Sequence, residues 1–205
     1  MSQGEGPEER WFDYSRTVAL SDGVFAIALT LLVLNLSAPV LEPGHQSVGH
    51  VLLDHEHRDE YVSYAIGFAV IAFLWVRHHA FYRGIDHIDT RLTVVNLVYL
   101  GLVAFLPFPT KILGLYSDQP AAVIMYAATA ASVSLLAGAA RVHAAHAGLL
   151  SESGRLQVEQ REHWAIVPAV FLLSIPIAFA STTAALWSWL LVAVLPRLKR
   201  RLSGP

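Results

Sequence analysis

Arg16-Thr-Val-Ala-Leu-Ser21-Asp22-Gly-Val-Phe-Ala-Ile27-Ala-Leu-Thr30-Leu-Leu-Val-Leu34 is a near-continuous apolar run with a serine and a carboxylate embedded in it. Its length suits a helix that enters a bilayer. An ionisable group in such a segment is costly and takes a partner or a function. Beyond Asp22 the run is apolar except for Thr30 and, at its far end, Asn35. Ile27, Leu31 and Leu34 follow the i, i+4, i+7 rule and share one face, with Thr30 beside it. Spacing alone leaves two readings of that face open. It is either an ordinary packing face or, in a symmetric assembly, a set of Ile and Leu rings that gate a pore by excluding water.

The rest of the chain has membrane-protein composition. Of its 205 residues, 55% are hydrophobic and only 15% charged, too little polar surface for an ordinary soluble domain. Its mean hydropathy is +0.49. It contains no cysteine, which excludes disulfides and thiolate metal sites. Apolar stretches near residues 17–36, 61–76, 92–115, 121–140, 164–180 and 182–196 predict six membrane helices in one domain spanning 16–200. Residues 1–15 are expected to be a disordered N-terminus rather than a cleaved signal, and 201–205 a basic tail.

The net charge of -2 says little, but the distribution of charge is informative. With both termini inside, Arg10, Arg16, Arg77, Arg83, Arg91, Arg141, Arg155, Arg161, Arg197, Lys199, Arg200 and Arg201 fall on the inner side. Only Arg58 and Lys111 fall outside. This positive-inside pattern predicts six spans with cytoplasmic N and C termini. Fusing the last two spans, the first of which holds Pro168 and Pro176, would put the terminal basic cluster outside, so Ser181-Thr182-Thr183 is expected to be a turn.

The outer connection carries His45, His50, His55 and His57 with Asp54, Glu56, Asp59 and Glu60. Imidazole and carboxylate suit zinc or nickel, but a solvated loop has the same composition, and no metal site is assigned. None is assigned to His143 and His146 either.

At 100° per residue, Arg16 and Asp22 lie about 240° apart on a helix, so each needs a partner elsewhere. Trp75-Val-Arg77-His78-His79 ends the second stretch, and Arg91 with Asn96 opens the third, all at roughly the depth of Ser21 and Asp22. Polar groups in hydrocarbon must be satisfied by protein or trapped water. An inner-leaflet hydrogen-bond network joining the first three helices is therefore expected, as a structural clasp or in contact with a substrate.

Arg16-x-x-x-Leu20-Ser21-Asp22 resembles the R-x-x-x-F-S-D signature of the transmembrane protein 175 family of potassium channels, in its short bacterial form. The similarity continues through Trp75-x-x-His78-x-x-Phe81 and from Asn96-Leu97 to Leu106-Pro107-Phe108-x-Thr110. The resemblance implies an all-α integral membrane protein of six helices per subunit in the bacterial plasma membrane. It implies a homotetramer whose central pore is lined by the first helix, with no carbonyl-lined filter. It puts the constriction at Ile27, further pore-lining rings at Leu31 and Leu34, and a cation-selecting threonine at Thr30. Arg16, Ser21 and Asp22 become the network that holds the first helix, with Trp75, His78 and Asn96 as partners. Leu20 departs from the signature, replacing an aromatic ring with a smaller apolar contact.

The expected activity is passive conduction of potassium ions, with modest selectivity over sodium, no cofactor and no nucleic-acid partner. A proton-conducting or proton-coupled transporter that uses Asp22, His78 and His79 as a relay is the alternative. An intramembrane enzyme using Ser21, Asp22 and His78 is disfavoured, because adjacent helical side chains diverge by about 100°. No phosphate-binding loop is present either.

Overall fold

The structure is a computed structural model that describes residues 7–37, 55–160 and 165–192. Among these residues the order is α1 (Pro7–Leu31) with a 3₁₀ turn at Leu32–Asn35, α2 (His55–Tyr82), α3 (Thr90–Phe105), α4 (Pro107–Leu115), α5 (Pro120–His146), α6 (Glu152–Gln160), α7 (Ile166–Ala180) and α8 (Thr182–Ser188). Among the described residues, four segments are long and apolar enough to cross a membrane: Tyr14–Asn35, Glu60–Tyr82, Thr90–Leu115 and Pro120–His146. Ile166–Ala180 is a shorter apolar helix. The histidines His45 and His50, the side chains of His55 and His57, and the C-terminal basic cluster lie outside the described residues.

Two boundaries differ from the sequence reading. The first helix begins at Pro7 and not near residue 16, so residues 7–15 are helical where disorder was expected. Proline is suited to a helix start, since it has no N–H to lose there. The third stretch is two helices. Pro107 has no N–H, so the Leu106 amide closes α3 by sharing Leu102 O and Val103 O at 3.2 Å each. The Thr110 amide (3.1 Å) and hydroxyl (2.9 Å) then both bond Leu106 O.

Other ends are set by local chemistry. Asp89 caps α3, its carboxylate accepting from the Leu92 amide at 2.7 Å. Ser181 is extended and caps α8 through Ala184 N at 3.2 Å, which makes the expected turn between α7 and α8.

α1 rests chiefly on α2 and α3. Phe25, Ala28 and Leu32, one stripe of α1, are buried against Ile71 and Leu74 of α2 and Tyr99, Leu100 and Val103 of α3. On the other side, Val123, Tyr126, Ala127 and Ala130 of α5 pack with Phe171 of α7 and with Trp189. At the end of the bundle nearest α6, Phe81, Tyr82 and Leu92 meet Ala140, Ala144, Leu149 and Leu150. There Ile85 pairs with Leu150 in an isolated antiparallel bridge. Gly84 and Gly154 approach so closely that a Cβ on Gly154 would fall on the Gly84 carbonyl.

Candidate functional site

α1 presents two unlike faces. Ser21, Phe25, Ala28 and Leu32 are buried at 1% exposure or less. Ala19, Leu20, Gly23, Ile27, Thr30, Leu31 and Leu34 lie on the other side, open in the single subunit, with Ile27 59% and Leu34 71% exposed. A Cβ on Gly23 would meet nothing within 4 Å. The Thr30 hydroxyl on this face donates to Ile27 O at 2.9 Å. That bond uses its proton and leaves oxygen lone pairs.

The buried face holds a directional chain of hydrogen bonds. Ser21 Oγ donates to Thr17 O (2.8 Å) and accepts from Asn96 Nδ2 (3.1 Å). The Asn96 amide is thereby oriented, and its Oδ1 meets His78 Nε2 at 2.9 Å. Nε2 must carry the proton in that contact. One hydroxyl, one amide and one imidazole from α1, α3 and α2, all buried, therefore bond one another. His78 is also held between Tyr82 and Tyr99, with ring centroids 4.5 and 5.2 Å away. Its neighbour His79 stacks instead on Trp75 at 5.4 Å.

Asp22 makes a second, separate link: its Oδ1 accepts from Trp75 Nε1 at 2.9 Å. The links diverge because Ser21 and Asp22 are successive residues on one helix. Ser21 bonds Asn96 and Thr17, and His78 bonds Asn96, an arrangement without a nucleophile-to-base contact. Arg16 lies on the exposed side of α1.

Sequence reasoning missed the links at the other end of α1. Asn35 Nδ2 donates to Pro107 O at 2.9 Å, tying α1 to the break between α3 and α4. The Ser37 amide and hydroxyl donate to the two carboxylate oxygens of Glu60 at 2.9 and 3.1 Å. The available signal was a polar residue at each boundary of an apolar stretch, and such residues are ordinarily solvated. A further polar pair joins α5 to the start of α3, where His143 Nε2 meets Asp89 Oδ2 at 2.7 Å. Burial alone would raise the Asp89 carboxyl, but the Leu92 amide, His143 and the Arg91 charge together hold it below the usual carboxylate value.

Residues 16–107, which contain both links around Ser21 and Asp22, match the family model described as endosomal/lysosomal potassium channel TMEM175. A potassium channel of Chamaesiphon minutus is 31% identical over 196 residues, covering 93% of this chain and 92% of the relative. A potassium channel of Streptomyces collinus is 39% identical over 101 residues, 49% of this chain and 48% of that protein. The human endosomal/lysosomal proton channel TMEM175 is 26% identical over 182 residues, 82% of this chain but 35% of its own length.

The crystal structure of a lysosomal potassium-selective channel TMEM175 homologue from Chamaesiphon minutus superposes with a TM-score of 0.76 at 27% identity, over 91% of this chain and 97% of that one. A variant of the potassium channel MtTMEM175 shares the fold, with a TM-score of 0.64 at 19% identity over 91% and 93% of the two chains. A relative of nearly equal length and a common architecture support one conclusion: the chain belongs to the TMEM175 family.

Proposed function

We propose that this chain is a passive, modestly potassium-selective cation channel of the bacterial plasma membrane. Its six spans have both termini inside, and four copies surround a pore lined by α1. The observation that carries this reading is the open face of α1, where Ile27, Thr30, Leu31 and Leu34 stand unpacked by their own subunit while the opposite face is locked to α2 and α3. The potassium-channel names of the two bacterial relatives support it.

In a fourfold ring, Ile27 forms an apolar constriction that excludes water when narrow and lets ions pass when the helices splay or rotate. Discrimination between potassium and sodium follows from the cost of partial dehydration at the Ile27 and Thr30 layers, since the smaller ion holds its water more tightly. Thr30 offers oxygen lone pairs at that level. Arg16, Ser21, Asp22, Trp75, His78 and Asn96 set the resting angle of α1 and do not touch the ion. Permeant potassium is the only small partner; the assembly is embedded in lipid and uses no cofactor.

Potassium and sodium flux into proteoliposomes tests the reading with Ile27→Asn and Ile27→Trp. Wild type passing potassium faster than sodium, raised flux in Asn and abolished flux in Trp are the expected results. Robust flux unchanged by either substitution would remove Ile27 from the pore.

A proton-conducting or proton-coupled role is the second reading. It is favoured by the Thr17–Ser21–Asn96–His78 chain and by the proton-channel name of the human relative. Proton flux that falls in His78→Gln while potassium permeability stays constant would favour it over the first.

A further inference from the structure

On the side of the subunit away from α1, a groove of about 530 Å³ runs between α2, α5, α7 and α8. Ile66, Ala69, Phe73, Ala130, Phe171 and Trp189 form its walls. Two of its polar groups have their protons engaged: the Ser134 hydroxyl donates to Ala130 O at 2.8 Å, and Trp189 Nε1 donates to Ser174 Oγ at 2.9 Å. The lining is predominantly apolar, and apolar cavities of about 150 Å³ stay dry and take up benzene. A space more than three times larger has room for a long hydrocarbon chain.

The groove shares walls with a more polar space. Phe73, Leu74, Ser134 and Val167 also wall a second, smaller cavity of about 30 Å³, which is lined further by Arg77, His78, Tyr82 and Arg141. Arg77 and Arg141 are neighbours on adjacent helices, with Arg141 Nη2 3.4 Å from Arg77 O. Arg77 lies 5.5 Å over the Phe73 ring, and Arg141 5.1 Å over Phe81. From Ile66 to Arg77 the rise along α2 is about 16 Å at 1.5 Å per residue. That matches one leaflet of a hydrocarbon core about 30 Å thick. An apolar trough that runs about 12 Å along α2 from Ile66 to Leu74, with two guanidinium groups in the cavity that shares its walls, has the polarity of a phospholipid.

We infer that this groove holds one acyl chain of an anionic phospholipid of the inner leaflet, with its phosphate at Arg77 and Arg141. The inference rests on the topology and pore axis proposed above in two respects. Those assignments put the arginines at the cytoplasmic surface, where anionic headgroups gather, and turn the groove outward to lipid because α1 contributes none of its walls. The guanidinium fork matches phosphate oxygens in a way that a choline headgroup, with its compensating charge, offsets.

The test uses full-length protein in nanodiscs containing trace phosphatidylglycerol with a diazirine at the middle of one acyl chain, and in parallel phosphatidylcholine with the same chain. After irradiation, labelled peptides are mapped by mass spectrometry. Expected are labels concentrated on residues 66–73, 130–134 and 167–171, at least threefold stronger for the anionic lipid. Ala69→Trp, which fills the trough from its exposed lip, is expected to cut groove labelling at least fivefold. Leu190→Trp at the opposite lip gives the same reading if Ala69→Trp fails to fold. Arg77→Gln with Arg141→Gln should erase the headgroup preference and keep the chain label.

Labelling that ignores headgroup, or that survives both tryptophan variants, overturns the inference. So does a groove that labels only after the oligomer is dissociated, which would give it to a neighbouring copy. Because labelling is read without ion flux, a failed channel assay and a failed lipid site are separate results.

Discussion

At the scale of single residues, Asn96 is the hinge of the polar chain, because only a side chain with a donor at one end and an acceptor at the other can join Ser21 to His78. Asn96→Leu leaves both without that contact in a buried setting. At about 1–3 kcal/mol for each buried group left unpaired, the loss is on the order of 3 kcal/mol. A clear fall in the thermal unfolding midpoint in detergent is expected. Ser21→Ala should cost less, about 1 kcal/mol, since it leaves the Asn96 amide donor without its acceptor but keeps the contact between Asn96 and His78. The Trp75–Asp22 bond is exposed in the single subunit, so Trp75→Phe should barely move the unfolding midpoint while altering flux. A midpoint as low as that of Asn96→Leu would show that Trp75 is primarily structural.

At the scale of elements, close approach and capping decide tolerance. A Cβ on Gly67 of α2 would lie 2.7 Å from Thr110 Cγ2 and 3.3 Å from Leu32 Cδ2. Thr110 is buried and its hydroxyl is committed to Leu106 O, so it cannot rotate away without losing a bond. Gly67→Ala is expected to destabilise by about 1–3 kcal/mol. Gly101→Ala, where a Cβ meets nothing within 4 Å, should instead stabilise slightly through helix propensity. Equal midpoints for the two variants would contradict this account of the α2–α4 contact.

Asp89 adds a pH dependence at the start of α3. Its folded carboxyl sits below the unfolded value, so its stabilisation is complete above the ordinary aspartate range and is lost as pH falls through the lowered folded value. Asp89→Ala should therefore be less stable than wild type at neutral pH by about 1 kcal/mol, and the gap should close in acid. A gap that stays constant with pH would mean the cap acts through shape alone.

Most of these elements were legible because apolar runs bounded by charge are the strongest signal a membrane chain carries. The break at Leu106–Pro107 was not, since the apolar stretch continues across it and its total length suits one span. α6 escaped notice because Glu152–Gln160 is short and polar. For the site, distance to the helix end brought Ser21, Asp22, Trp75, His78 and Asn96 to one level, and hydrogen bonds do join them there. It did not give their pairing, which depends on helix rotation: one step along α2 separates a histidine bonded to Asn96 from one stacked on Trp75. Asn35, Ser37 and Glu60 stood at boundaries where solvated polar side chains are the norm.

At the scale of the whole molecule, α1 is fastened at both ends and bare along one side between them. Absence of cysteine allows each end to be tested with a single introduced thiol. Glu60→Ala should speed modification of Leu34→Cys by a water-soluble thiol reagent several-fold, and Glu60→Gln, which still offers an acceptor and a donor to Ser37, should restore the slow rate. Leu20→Cys at the far end should react alike in both backgrounds. Equal acceleration at both positions would mean that Glu60 supports the whole bundle and not one end of α1.

The bare side of α1 also bears on gene dosage. In the proposed ring, each Ile27 faces copies of itself, so a cell carrying one normal and one altered gene would build mostly mixed assemblies. A blocking allele at this position should therefore be dominant, whereas an allele that merely unfolds its own subunit should be recessive.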